Sequence, residues 1–357
     1  MLKIQKLNIP GFEKVIEAID PASNLHSIIA IHNTKLGPAL GGVRILPYPS
    51  FDDALTDVLR LARGMTYKSA VAANGLGGGK SVIIADQKDK NIKLLRAFGK
   101  VVDSLAGEYI AAEDVGSSIE DMGILHNATP YVAAYSHEKS SKDPSRFTAW
   151  GVFRGIQAVA KTLWGTTSLY KRTIAIQGLG SVGGKLANIL FWEGATLILS
   201  DIDEAKLHEH ALLFGAKTIS PEDFCSEKCD ILSPCALGGI INPKSIEKME
   251  CKSIAGAANN QLLDDSCGEL LMKKNILYAP DYIINAGGII NAAAEFDLQG
   301  YKPVKARDKV NEIKDILLHL FIKAAEEGKP TNQVADELAE YNLLHSIGKR
   351  QHPIQFH

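Results

Sequence analysis

The sequence predicts an α/β protein of two domains, the second built on a doubly wound parallel sheet. Three observations carry this. Residues 173–284 alternate short apolar runs with amphipathic helical stretches, the pattern of strands joined by crossover helices. A polar, breaker-rich stretch at 136–145 stands ahead of that region and reads as a hinge or as an ordinary surface loop. The chain has 357 residues, 46% hydrophobic and 22% charged, enough to bury two cores. Domain boundaries are expected at 1–135 and 146–329, with a C-terminal helix at about 330–357 packing back on the first domain.

The elements follow in order. Residues 25–32 form an apolar run that reads as a strand. Ala54, Leu55, Val58, Leu59 and Ala62 mark an amphipathic helix over 51–65, with Asp52 as its expected N-cap. Gly77, Gly78 and Gly79 read as a loop without bulk, which Lys68 and Lys80 bracket. A strand at 82–85 and a helix over 92–106 come next, then a strand at 109–112. Ser117 and Ser118 precede Glu120 and Asp121 by three residues, a capping box that opens a helix near 118. A helix over 148–164 starts the second domain. Strands are expected at 173–177, 196–200, 230–232, 253–255 and 282–284, with helices over 182–193 and 205–214. The tail, 306–347, is amphipathic and helical.

Composition excludes some functions. A net charge of −2 offers no field for nucleic acid or an anionic membrane. No apolar run approaches a membrane span, and the N-terminus lacks the apolar core of a signal peptide, so a cytoplasmic protein is expected. Cys225, Cys229, Cys235, Cys251 and Cys267 fit no zinc spacing and read as reduced, mostly buried thiols. The ten histidines show no metal-ligand pairing, and His352 and His357 lie in a solvated tail. No metal is expected.

Gly178-Leu179-Gly180-Ser181-Val182-Gly183, followed by Gly184, sits between an expected strand and helix, and Asp201 ends the next strand 18 residues past Gly183. This is the dinucleotide fingerprint of a Rossmann domain: glycines permit the turn, and backbone N–H groups meet a pyrophosphate at the helix N-terminus. Asp201 suits adenosine ribose hydroxyls and, with Asp203 and Glu204, repels a 2′-phosphate, which favours NAD over NADP. Three segments, 234–238, 256–260 and 285–288, are expected at strand ends of the same sheet, where their small and amide residues suit a nicotinamide ribose and carboxamide. Lys80 and the carboxylates of Glu113-Asp114 form a possible acid–base set. Beside NAD, they predict hydride removal from a carbon bearing an amine.

Together with the glycine fingerprint, Gly37-Pro38-Ala39-Leu40-Gly41-Gly42-Val43-Arg44, Arg63-Gly64-Met65-Thr66-Tyr67-Lys68, Gly77-Gly78-Gly79-Lys80, Glu113-Asp114-Val115-Gly116 and 279–288 resemble the amino-acid dehydrogenases acting on glutamate, leucine, phenylalanine and valine, with the leucine branch nearest. The resemblance runs from about residue 10 to about 350. It implies oxidative deamination of an L-amino acid to a 2-oxo acid and ammonia, with substrate in a cleft between the domains. Lys68, with Gly41 and Asn259, would hold the substrate carboxylate. Lys80 would activate the water that attacks the imine, and Asp114 would shuttle protons to and from the amine. Thr148, Asp201, Ile202, Ala236, Asn259 and Asn285 would contact NAD. The substrate side chain would meet Leu40, Met65, Ala112, Ala133, Ile289 and Ala292. This uncharged set disfavours glutamate and suits leucine, valine or isoleucine. Leucine-branch enzymes carry threonine at the position of Ala133 and valine at that of Ala292, so this pocket is larger and phenylalanine or tryptophan remains an alternative. A third reading is a non-catalytic NAD-binding protein on the same fold. The family forms homo-oligomers, in the leucine branch often octamers, and a dimer is also compatible with this sequence.

Overall fold

A computed structural model of the chain describes residues 1–135, 141–236 and 238–356. The chain divides into two compact units. Unit 1 comprises 1–143, 292–303 and 339–357, and unit 2 comprises 144–291 and 304–338. Residues 136–140 of the expected hinge, together with Leu237 and His357, lie outside the described residues.

Unit 1 contains β1 (Lys3–Leu7), β2 (Lys14–Asp20), β3 (Leu25–Asn33), β4 (Ala39–Leu46), α1 (Phe51–Ala72), β5 (Gly77–Ile84), α2 (Ile92–Asp103), β6 (Tyr109–Glu113) and α3 (Ile119–His126). Its sheet runs β1-β2-β3-β5-β4-β6. The pairs β1–β2, β2–β3 and β3–β5 are antiparallel, and β5, β4 and β6 run parallel. The centre of β3, residues 28–31, is continuously apolar because both of its faces are covered. Ile28 and Ala30 pack with Ala54, Val58 and Ala62 of α1, while Ile29 and Ile31 pack with Leu94, Phe98 and Val102 of α2.

Two expectations in this unit are corrected. Ser50, not Asp52, caps α1: its extended backbone (φ −146°, ψ 166°) lets its side chain accept from the Asp53 N–H. Asp52 lies in the first turn, where the helix dipole favours a carboxylate. The glycine run is not a loop. Gly77, Gly78 and Gly79 are the first residues of β5, and α1 continues through Lys68 to Ala72. The capping box forms as read, between Ser118 and Asp121.

Unit 2 opens with α4 (Ser145–Trp164). It continues through β7 (Thr173–Gln177), α5 (Gly183–Trp192), β8 (Thr196–Ser200), α6 (Glu204–Phe214), β9 (Lys217–Thr218), β10 (Ile231–Pro234), α7 (Pro243–Lys248), β11 (Ser253–Ile254), α8 (Ser266–Lys273), β12 (Leu277–Tyr278) and α9 (Asp281–Ile284). The chain then runs through α10 (Gly287–Ala293), α11 (Pro303–Glu327) and α12 (Thr331–Leu344). All six strands are parallel, in the order β12-β11-β10-β7-β8-β9. This is the doubly wound sheet, with its switch point between β7 and β10.

Residues 282–284 were expected as a strand and instead form the single turn α9. Asp281 follows Pro280 and accepts from the Tyr282 N–H at 2.7 Å, which favours a helical start. The sixth strand is the two-residue β12. Among the described residues no helix is long and apolar enough to cross a membrane. All five cysteines are free. Cys229, Cys251 and Cys267 are buried, Cys225 and Cys235 half-buried.

Candidate active site

The glycines of unit 1 serve close packing. None of Gly77, Gly78 or Gly79 has a positive φ. A Cβ on Gly78 would overlap the backbone and Oγ1 of Thr66 on α1, and one on Gly41 of β4 would overlap the Gly79 carbonyl. Glycine here lets α1 lie directly on β5, at an entropic cost that the packing offsets. Thr66 is pinned there: its Oγ1 lies 2.9 Å from His32 Nδ1 and within reach of the Ala62 and Gly78 carbonyls. Thr66 and Gly78 thus couple the helix that carries Lys68 to the strand that carries Lys80.

Lys80 opposes Ala30 of β3 in register. Its Nζ pairs with Asp114 Oδ2, and its side chain is 5% exposed, against 14% for Asp114. Asp114 follows β6 and is fixed on several sides. Its N–H donates to Ser117 Oγ at 2.9 Å, and its Oδ1 accepts from the Val115 N–H at 2.6 Å and from Arg44 Nε at 3.2 Å. Gly42 leaves room for this carboxylate: a Cβ there would lie 2.6 Å from Oδ2. Burial, reinforced by the positive charges of Arg44 and Lys68 and opposed by Asp57, holds the Lys80 ammonium well below the usual lysine range. A lysine whose pKa is lowered, paired with a carboxylate, is placed to give and take protons.

Arg44, Asp57 and Tyr48 complete this network, and the sequence reading gave none of them a role. Arg44 Nη1 donates to Asp57 Oδ2 at 2.9 Å, and Tyr48 Oη donates to the same oxygen at 2.6 Å. One signal was available in the sequence. Arg44 stands two residues past Gly42, on the same face of β4, and Asp57 interrupts the buried side of α1 next to Val58.

The other residues read from the sequence fall as follows. Leu40 is buried on β4, and Met65 and Lys68 are half-buried and three residues apart on α1, so they share a helix face. Ala112 lies on β6. Ala133 is fully buried beside it, its N–H donating to the Ala111 carbonyl at 2.8 Å. Ala292 is buried and also belongs to unit 1. The Gly41 carbonyl accepts from Tyr109 Oη at 2.7 Å. Ile289 and Asn259 belong to unit 2. Among the described residues no cluster of His, Cys, Asp or Glu could hold a metal ion.

In unit 2 the fingerprint glycines have three distinct reasons. Gly178 has φ +91°, a turn that other residues rarely make, and a Cβ on it would lie 2.9 Å from Ala236 across the switch point. Gly183 packs against the Gly178 carbonyl. A Cβ on Gly180 would meet nothing within 4 Å, so its backbone faces open space. α5 begins at Gly183, and Val182 before it supplies no side-chain cap. Open space beside an uncapped helix N-terminus suits a pyrophosphate. Asp201 follows β8. Its Oδ2 accepts from the Leu179 N–H at 2.5 Å and its Oδ1 from the Asp203 N–H at 2.9 Å, which fixes the carboxylate beside the turn. Ser181, Ile202 and Ala236 are exposed around it.

Of the three small-residue segments, two follow strands, β10 and β11. The third follows α9. It nevertheless reaches the same place. Asn285 Nδ2 donates to the Ala257 carbonyl at 3.0 Å and to Asn259 Oδ1 at 2.8 Å. Its Oδ1 is buried without a partner, an acceptor ready for a carboxamide N–H. Thr148 Oγ1 donates to the Pro144 carbonyl at 3.1 Å, and Gly288 packs against it. These residues fit a dinucleotide.

Comparison with known proteins gives the family to which the chain belongs. The family model described as Glu/Leu/Phe/Val dehydrogenase, dimerisation domain, matches residues 14–131. That described as Glutamate/Leucine/Phenylalanine/Valine dehydrogenase matches residues 200–342. The chain is 48% identical to a leucine dehydrogenase of Geobacillus stearothermophilus, over 93% of this chain and 90% of that one. It is 45% identical to a phenylalanine dehydrogenase of Caldalkalibacillus thermarum, over 94% and 92%. The crystal structure of L-tryptophan dehydrogenase from Nostoc punctiforme superposes with a TM-score of 0.80 at 44% identity, covering 94% of this chain and 97% of that one.

Proposed function

We propose, for a chain that belongs to the Glu/Leu/Phe/Val family of amino-acid dehydrogenases, that it catalyses the NAD-dependent, reversible oxidative deamination of a branched-chain L-amino acid to its 2-oxo acid and ammonia. The observation that carries this reading is the buried Lys80–Asp114 pair beside Arg44 and Lys68. Lys68 binds the substrate carboxylate. Asp114 takes a proton from the α-ammonium, so that the nitrogen lone pair can drive hydride loss from Cα. Bound NAD supplies the hydride acceptor. Neutral Lys80 then takes a proton from the water that adds to the imine carbon, and Asp114 returns its proton to the nitrogen; as the C–N bond breaks, the new hydroxyl gives its proton to the departing ammonia and the carbonyl of the 2-oxo acid forms. Gly178, Leu179, Gly180, Ser181, Val182, Gly183 and Gly184 hold the pyrophosphate. Asp201 and Ile202 meet the adenosine ribose, and Thr148, Ala236, Asn259 and Asn285 meet the nicotinamide half.

Support for an aliphatic substrate comes from the uncharged set Leu40, Met65, Ala112, Ala133 and Ala292. Two of these are small and buried, which favours a second reading with an aromatic substrate, and the phenylalanine and tryptophan relatives point the same way. A pocket difference of one methylene is worth only ~1–3 kcal/mol. The decisive experiment is kcat/KM for leucine, valine, isoleucine, phenylalanine and tryptophan, each with NAD and with NADP. The proposal requires an aliphatic substrate with NAD to lead. Phenylalanine or tryptophan in the lead replaces it with the second reading, and no turnover on any of them removes both. We also propose a homo-oligomer, because the N-terminal match is to a dimerisation domain.

A further inference from the structure

We propose that Arg44 and Asp57 are positioning residues for the proton-transfer pair: Arg44 grips one oxygen of Asp114 so that the other faces Lys80, and Asp57 holds Arg44 in place while offsetting its charge. The inference rests on the amino-acid dehydrogenase reading above.

The geometry assigns each contact a task. A carboxylate on a loop can rotate and exchange its oxygens. Asp114 cannot do so freely, because Arg44 Nε at 3.2 Å and the Val115 N–H at 2.6 Å both bind Oδ1. Oδ2 is thereby committed to Lys80. The Arg44 fork is itself oriented from the other side by Asp57 Oδ2 at 2.9 Å, and Tyr48 Oη at 2.6 Å fixes that oxygen in turn. Arg44 and Asp57 are both largely covered, at 16% and 28% side-chain exposure. Their charges are therefore screened less than surface charges, and both act on Lys80. A lysine in place of Arg44 keeps the charge but cannot make both contacts at once.

The charges that face Lys80 come from each element around it. β4 contributes Arg44, α1 contributes Lys68 and Asp57, and the turn after β6 contributes Asp114. β3 presents Ala30 beside it, and Tyr109 of β6 is engaged by Gly41 and Ser81. Arg44 and Lys68 disfavour the ammonium and Asp57 favours it. Neutral Lys80 is the active form in deamination, so activity is lost as pH falls through its pKa. Removing Arg44 raises that pKa and moves the acid limb of kcat to higher pH. Removing the Asp57 charge lowers the pKa and moves the limb to lower pH. A merely structural defect gives no such pair of opposite shifts.

The test is the pH profile of kcat and kcat/KM for amino-acid oxidation in wild type, Arg44→Gln, Arg44→Lys and Asp57→Asn, with NADH binding followed by fluorescence as a check on folding. Arg44→Gln is expected to lose roughly 100-fold in kcat, the scale of an ångström-sized misplacement, with a much smaller change in KM. Its acid limb moves up in pH, and that of Asp57→Asn moves down. Arg44→Lys loses kcat with the limb near the wild-type position. If Arg44→Gln does not fold, Asp57→Asn and Arg44→Lys decide. Limbs that stay in place in every folded variant but with equal losses in kcat, or full activity in Arg44→Gln, overturn the proposal. A wild type that oxidises no amino acid instead defeats the reading beneath it.

Discussion

Replacing Gly78 by alanine tests whether the glycine run exists to bring α1 down onto β5. The added Cβ would sit inside the Thr66 backbone and Oγ1. Neither can give way cheaply. The Thr66 backbone is mid-helix, and its hydroxyl is already committed to His32, Ala62 and Gly78. Overpacking a close-packed core costs about 1–3 kcal/mol, and backbone overlap puts this case at the upper end. For a unit of this size about 3 kcal/mol lowers the melting midpoint by roughly 6–12 °C. The same displacement moves Lys68 relative to Lys80, so kcat/KM should fall by at least about tenfold at temperatures where the protein remains folded. Gly64, on the same helix, is the control. A Cβ there meets nothing within 4 Å, and Gly→Ala in a helix stabilises by roughly 0.5–1 kcal/mol. Circular dichroism melts with steady-state kinetics decide the matter. Equal, small effects of Gly78→Ala and Gly64→Ala would refute the packing argument.

Asp201→Ala should raise KM for NAD roughly tenfold, the equivalent of one lost charge-assisted hydrogen bond, and should raise the NADP-to-NAD ratio of kcat/KM; an unchanged ratio removes Asp201 from the ribose site. Gly180→Val should weaken NADH binding without lowering the melting midpoint, because the added side chain enters open space; undiminished binding means the cofactor does not approach there. Burial pushes the Cys225, Cys229 and Cys235 thiols up and Cys251 to about 12, so at pH 8 native protein should react with a disulfide reagent far more slowly than protein in denaturant. Rapid labelling of Cys251 in native protein would contradict its packing.

Unit 2 was legible because its signals are local. A strand, a glycine turn and a helix follow one another within 20 residues, and each glycine has a backbone reason. β9 and β12, of two residues each, were not read as strands; β11, equally short, was read at 253–255. Three consecutive apolar residues at 282–284 fit either a buried strand or a helical turn, and Pro280 and Asp281 decide for the turn. The glycine run misled for a physical reason. Glycine disfavours strands locally, and only the helix lying across it, distant in sequence, explains it. The same holds for Arg44 and Asp57: thirteen residues apart, they meet because a strand and a helix cross. The reading named Lys80 and Asp114, which the structure pairs, but not the residues that hold them.

The most direct test of the central claim, that Lys80 and Asp114 act as the proton-transfer pair, is NADH formation from leucine and NAD by wild type and Lys80→Ala, with NADH affinity measured on both. The account predicts turnover by the wild type, its loss by at least about a hundredfold in the variant, and unchanged NADH affinity. A variant that retains wild-type turnover, with its fold and NADH binding intact, would contradict it.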